Sequence, residues 1–150
     1  MPSPEDLPRA HQYKKLHESG RDDLIPYTAM ELTTVVAEAL RMCDLENGPA
    51  ADNFDIFGFK IGNVALIGIP GEPFPEVGVE IKKADGFDMI MPCALVNGYY
   101  GYFPTMSAYN DGGYEARTAR YKAGVAELIV DCAKKSLTNS KTTKKQKAEP

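Results

Sequence analysis

Apolar positions along the chain recur with two different periods. From 28 to 47, Leu32, Val35, Val36, Ala39, Leu40 and Cys43 keep the i, i+3, i+4, i+7 spacing of one helix face, and Gly48-Pro49 closes the run. That spacing predicts a helix over about 28–47. A second helix is predicted over about 119–137, with Val125, Leu128, Ile129 and Cys132 on its inner stripe. Between them, 54–61 and 64–69 are β-rich runs joined by Gly62-Asn63, a strong hairpin signal. The second run is apolar on both faces, as in a central strand, and stops at Pro70-Gly71-Glu72-Pro73. A short helix over 74–84, with Val77 and Ile81 on one side, and a buried strand over 87–96 follow.

Two further stretches are less regular. A polar helix is expected after Ser3-Pro4-Glu5-Asp6, a serine cap followed by proline and acids, broken at Pro8 and ending at Gly20. Residues 97–115 have no period and are punctuated by glycine and proline, so they read as one long structured loop carrying five of the eight tyrosines. The fold class expected is α+β, or α/β: a small sheet of buried strands packed against two long helices. No internal repeat is visible. One domain is expected over 1–137, with a disordered basic tail over 138–150.

Composition narrows the function. With 43% hydrophobic and 25% charged residues in 150, the chain has the balance of a single globular unit. Its longest apolar run, 64–70, is far short of the ~20 residues that cross a bilayer, and its first residues carry no secretory signal. A cytoplasmic protein is expected if the chain is complete. Net charge is −4, yet Lys134, Lys135, Lys141, Lys144, Lys145 and Lys147 cluster at the end, which leaves an acidic body. Such a body repels phosphate backbones, so no nucleic-acid partner is expected. Cys43, Cys93 and Cys132 are an odd set without CxxC spacing, which suits buried thiols rather than disulfides or a cysteine zinc site.

Candidate chemistry is sparse. The chain has no GxSxG, P-loop, GxGxxG or HExxH motif. His11 and His17 lie six residues apart, on different faces of a polar helix, and read as solvated surface groups. Glu72 stands where a buried strand meets a helix. There it either faces a ligand at the sheet's edge or simply complements the helix dipole. The tyrosine-rich loop is either part of a site or an aromatic plug over the core.

Taken in order, Ile67-Gly-Ile-Pro-Gly-Glu-Pro-Phe74, then Ala94-Leu-Val-Asn-Gly-Tyr-Tyr-Gly-Tyr-Phe-Pro-Thr105, then Gly112-Gly-Tyr-Glu115 resembles the C-terminal part of the neutral/alkaline non-lysosomal ceramidase family, in particular its shorter bacterial ceramidase-like members. The order strand, PGE, helix, strand, NxYxxY, YE is that family's order, and the resemblance runs from about residue 4 to 137. It implies a zinc-dependent amidohydrolase that cleaves the N-acyl bond of ceramide into fatty acid and sphingosine. It also implies a zinc held by two histidines, a glutamate and a tyrosine. The PGE glutamate matches Glu72 and the NxY tyrosine matches Tyr99, with Tyr100 as its neighbour. In that family zinc polarises the amide carbonyl and activates water.

The family's histidine ligands come from its N-terminal half, which nothing here matches, and His11 and His17 do not replace them. The sequence therefore implies a C-terminal segment of a larger catalytic domain, inactive alone, whose partner is the N-terminal half of a ceramidase-like protein and whose substrate is a lipid amide. The alternative is a non-catalytic α+β module that self-associates through an apolar sheet face, or binds a partner.

Overall fold

The computed structural model describes residues 4–142. Two helices come first, α1 (Leu7–Glu18) and α2 (Ala29–Glu46), joined through a short 3-10 turn at Asp22–Leu24. Then follow β1 (Phe57–Ile61), β2 (Val64–Gly68), β3 (Glu72–Pro73), α3 (Pro75–Lys82), β4 (Met89–Cys93), β5 (Tyr102–Phe103), α4 (Met106–Asp111), α5 (Tyr114–Thr118) and α6 (Val125–Thr142). The architecture is α+β.

β2 is the centre of a three-stranded sheet in the order β1-β2-β4. It pairs antiparallel with β1 across the Gly62-Asn63 turn, where Gly62 takes φ +59°, and parallel with β4. β3 and β5 form a separate two-stranded parallel ribbon, Glu72 opposite Tyr102 and Pro73 opposite Phe103. α3 and α6 pack on one face of the larger sheet. There Ala65, Ile67, Ile69, Val77, Ile81, Ile90, Phe103, Ala126, Ile129, Ala133 and Leu137 form one buried cluster.

The helical pair has its own core. Ala10, Ala39 and Met42 are buried with Tyr13 and Cys43 against them, and Ile25, Val35 and Val36 cluster with Leu16, Leu32 and Leu40. α2 keeps the boundaries its apolar spacing predicts to within a residue. It packs chiefly on α1 and α5, so only one of the two long helices, α6, lies directly on the sheet.

Several local expectations are corrected. Pro8 does not break α1: it sits in the first turn, where a backbone N–H has no helical acceptor to lose. α6 starts six residues later than expected, because Gly124 directly before it takes φ +102°, outside the helical region. Its buried stripe is Ala126, Ile129, Ala133 and Leu137, while Leu128 is 59% exposed. Small alanines let the helix close on the sheet, so Ile129 is buried as expected while Leu128 turns outward. The strand expected over 87–96 ends at Cys93, since Leu95 and Asn97 take positive φ. Residues 97–115 hold β5, α4 and most of α5's first turn rather than loop alone. α6 also runs to Thr142, into the stretch expected as tail; the remainder of that tail, 143–150, lies outside the described residues.

Candidate functional site

The PGE and NxYxxY segments run side by side, stitched by backbone hydrogen bonds. The N–H of Val96 donates to Ile69 O (3.1 Å), Leu95 N–H to Gly71 O (3.0 Å), and Tyr100 N–H to Pro70 O (2.9 Å). In the other direction, Glu72 N–H donates to Gly101 O (2.9 Å). These bonds tie the chain leaving β2 to the chain leaving β4, the last of them within the β3–β5 ribbon, so the two motifs are held side by side beyond the larger sheet. Gly71 is indispensable to this approach. A Cβ there would lie 2.5 Å from the Phe103 ring and 2.6 Å from Gly101 O, and Phe103 is fully buried. Pro70, Gly71 and the ring of Phe103 thus fix the backbone from which Glu72 projects.

This register brings Glu72 and Tyr99 together. Partial desolvation holds the Tyr99 phenol above its ordinary value, and the nearby Glu72 carboxylate and Tyr114 raise it further, although the residue is 67% exposed. The phenol is therefore protonated at neutral pH. Tyr102 is likewise raised, by burial first, then by Glu72, Tyr114, Tyr99 and Glu115. The adjacent Tyr100 is directed elsewhere: its ring stacks at a tilt on Phe54, centroids 5.3 Å apart. Of the two tyrosines that the sequence leaves side by side, Tyr99 is the one on whose phenol Glu72 acts.

Two open clefts adjoin at Tyr102. One, of about 370 Å³, is lined by Glu72, Pro73, Phe74, Pro75, Tyr102 and Glu115. The other, of about 540 Å³, has Tyr99, Tyr100, Tyr102 and Tyr114 on one side and Arg41, Asp44 and Arg120 of the helical region on another. Arg41 Nε is buried without a hydrogen-bond partner, and burial lowers the pKa of its guanidinium. Sequence reasoning quoted Tyr102, Tyr114 and Glu115 only as motif letters and missed Arg41 altogether. Tyr102 was recoverable as the last letter of NxYxxY. Arg41 carries no local signal, because only the tertiary packing of α2 brings it to the tyrosines.

The carboxylate and phenol are two oxygen donors, fewer than the four ligands a zinc site takes. Among the described residues, no three His, Cys, Asp or Glu side chains gather in a set able to hold a metal ion. His11 bonds Glu46 (2.8 Å) and approaches Cys43, and His17 bonds Asp22 (3.0 Å), all within the helical region. The residues of this chain therefore do not fit a complete zinc centre on their own. No described helix is long and apolar enough to cross a membrane.

The chain is thus an α+β unit with a carboxylate–phenol pair at the carboxyl ends of its parallel strands. Solved structures similar to it are bacterial neutral ceramidases. The neutral ceramidase from Pseudomonas aeruginosa is 26% identical, with a TM-score of 0.45, and the match covers 57% of this chain and 15% of that one. A ceramidase complexed with C2 is 27% identical, with a TM-score of 0.47 and the same coverage. The chain matches only that 15% of the length of either. No family model and no curated protein matches the chain.

Proposed function

We propose that this chain is the C-terminal portion of a ceramidase-like zinc amidohydrolase acting on the N-acyl bond of a ceramide-like lipid. In this reading Glu72 and Tyr99 are its contribution to a metal centre that histidines from outside the chain complete. The observation that carries it is the stitched backbone that holds the PGE and NxYxxY segments side by side, so that the Glu72 carboxylate acts on the Tyr99 phenol. Binding through Tyr99 requires its phenol to lose a proton, so metal affinity should rise with pH. The chain's own part is to orient the two oxygens and to wall the clefts beside them with tyrosine rings.

The test is fatty-acid release from an N-acylsphingosine by this chain co-expressed with the N-terminal, histidine-bearing portion of a bacterial neutral ceramidase. Zinc-dependent release is expected only from the assembled protein. Glu72→Ala and Tyr99→Phe should each lower it at least 100-fold while leaving the assembly intact. Unchanged release in both variants would overturn the assignment. The second reading, a module that associates without catalysis, is favoured by one specific observation, the exposure of Phe59, Ile61, Met89 and Met91 on the sheet face turned from α3 and α6.

A further inference from the structure

The backbone that carries Tyr99 crosses from Val96 to Tyr100 as an arch pinned at both feet. Val96 N–H donates to Ile69 O and Tyr100 N–H to Pro70 O, which leaves Asn97, Gly98 and Tyr99 spanning between them. The arch turns through positive φ, +63° at Asn97 and +148° at Gly98. Asparagine enters the left-handed region more readily than most side chains. The next position calls for glycine. A Cβ on Gly98 would stand 3.0 Å from the Tyr100 ring and 3.4 Å from Pro70 Cβ, on a backbone that L side chains rarely adopt. Two neighbouring demands of the fold thus place an Asn-Gly pair directly before Tyr99.

Asparagine is thermolabile, because the backbone nitrogen of the next residue can attack its side-chain amide. That attack is fastest when no Cβ crowds the nitrogen, no acceptor engages its N–H and water reaches the site. All three conditions meet here. Gly98 has no Cβ, and both Asn97 and Gly98 are exposed. Among the described residues, nothing accepts from the Gly98 N–H, and the Asn97 side-chain amide has no hydrogen-bond partner. The chain's other Asn-Gly pair serves as an internal control. Asn47-Gly48 closes α2, where Gly48 is half-buried and its N–H donates to Leu45 O at 3.3 Å. Attack on Asn47 would first have to break that bond.

We propose that Asn97 is a site of spontaneous deamidation, which converts the arch carrying Tyr99 into aspartate and isoaspartate forms. The Gly98 nitrogen bonds to Cγ of Asn97, the Cγ–Nδ2 bond breaks, and the proton of the Gly98 N–H departs with Nδ2 as ammonia. A five-membered succinimide results. Water then opens that ring at one of its two carbonyl carbons. Breaking the nitrogen's bond to Cγ yields an aspartate; breaking its bond to the backbone carbonyl carbon yields an isoaspartate, whose main chain runs through Cβ and Cγ. One water is consumed and one ammonia released, and nothing is oxidised or reduced. Either product sets a carboxylate two residues from Tyr99. Isoaspartate also adds a main-chain atom to an arch whose feet are fixed. The proposal does not rest on the amidase reading, since it needs no metal, substrate or further polypeptide.

The experiment holds the full 150-residue chain at mildly alkaline pH and follows it by peptide mapping with mass spectrometry. Residue 97 should gain about one mass unit at least ten-fold faster than residue 47. In urea-unfolded chain the two pairs should convert at similar rates, because the fold no longer distinguishes them. Asn97→Gln should abolish the conversion there, and Asn47→Gln should leave it unaltered. In converted chain the Tyr99 ring resonances should titrate at higher pH than in fresh chain, while those of Tyr13, in the helical pair, keep their titration. Equal rates at the two pairs in the folded chain, faster conversion at 47, or none at 97 would overturn the proposal. So would a rate difference that persists in urea, or a Tyr99 titration that conversion leaves unchanged.

Discussion

The Glu72 carboxylate acts on the phenol of Tyr99, 27 positions away in sequence, and that coupling can be measured directly. A phenol beside a carboxylate gives up its proton late, because ionising it would place two negative charges in contact. Glu72→Gln removes both the charged acceptor and the repulsion, leaving burial as the main cause still holding the phenol up. Tyr99's pKa should therefore fall toward the ordinary tyrosine value, read from the pH dependence of its ring resonances. An unchanged titration would mean the carboxylate is not its partner. At this scale the sequence was informative where chemistry is written in local order: PGE, NxYxxY and YE name the residues that come together. It was silent on the stitching from residues 69–72 to 93–101, because those bonds are made by backbone groups that every residue carries.

At the scale of elements, the helical pair α1–α2 has cores of its own and is tied to the rest by specific side chains. Arg117 at the end of α5 reaches across to α2, with Nη2 donating to Glu38 at 2.7 Å and Nη1 to Glu31 at 3.1 Å. Its guanidinium is only 29% exposed, so the bonds are partly shielded from water. Arg117→Ala should cost about 1 kcal/mol, between an exposed pair and a buried charged hydrogen bond. The loss should be local: amide exchange in α2 should quicken several-fold while β2 and α6 keep their protection. Uniform exchange across the molecule would show that Arg117 does not act as a tie.

Elements with a full apolar period, α2 and the β1–β2 hairpin, were legible from the sequence. α4 and α5, with six and five residues, are too short to show a period. α4 is set instead by the Thr105 hydroxyl accepting from Ala108 N–H at its start and by Gly112 in the left-handed conformation at its end. The start of α6 depends on one glycine's φ, which spacing does not encode.

For the whole molecule, the layer rule of protein folds organises what is seen. A central strand apolar on both sides was visible in Val64-Ala-Leu-Ile-Gly-Ile69, and the helices α3 and α6 account for only one of those sides. The outer rows of β1 and β4 could not be assigned to a face from sequence, because register is settled only when strands pair. The outer face of the sheet leaves Phe59, Ile61, Met89 and Met91 exposed, and metal content tests whether Glu72 and Tyr99 serve one site.

The most direct test of the central claim is therefore the zinc content of the co-purified assembly, measured by elemental analysis for the wild type, Glu72→Ala and Tyr99→Phe. The account predicts about one zinc per assembly in the wild type, from a four-ligand site, with uptake that strengthens as pH rises. It predicts loss of most of that metal when either oxygen donor is removed. Full retention of zinc in both variants would contradict it, and would leave Glu72 and Tyr99 as neighbours without a metal role.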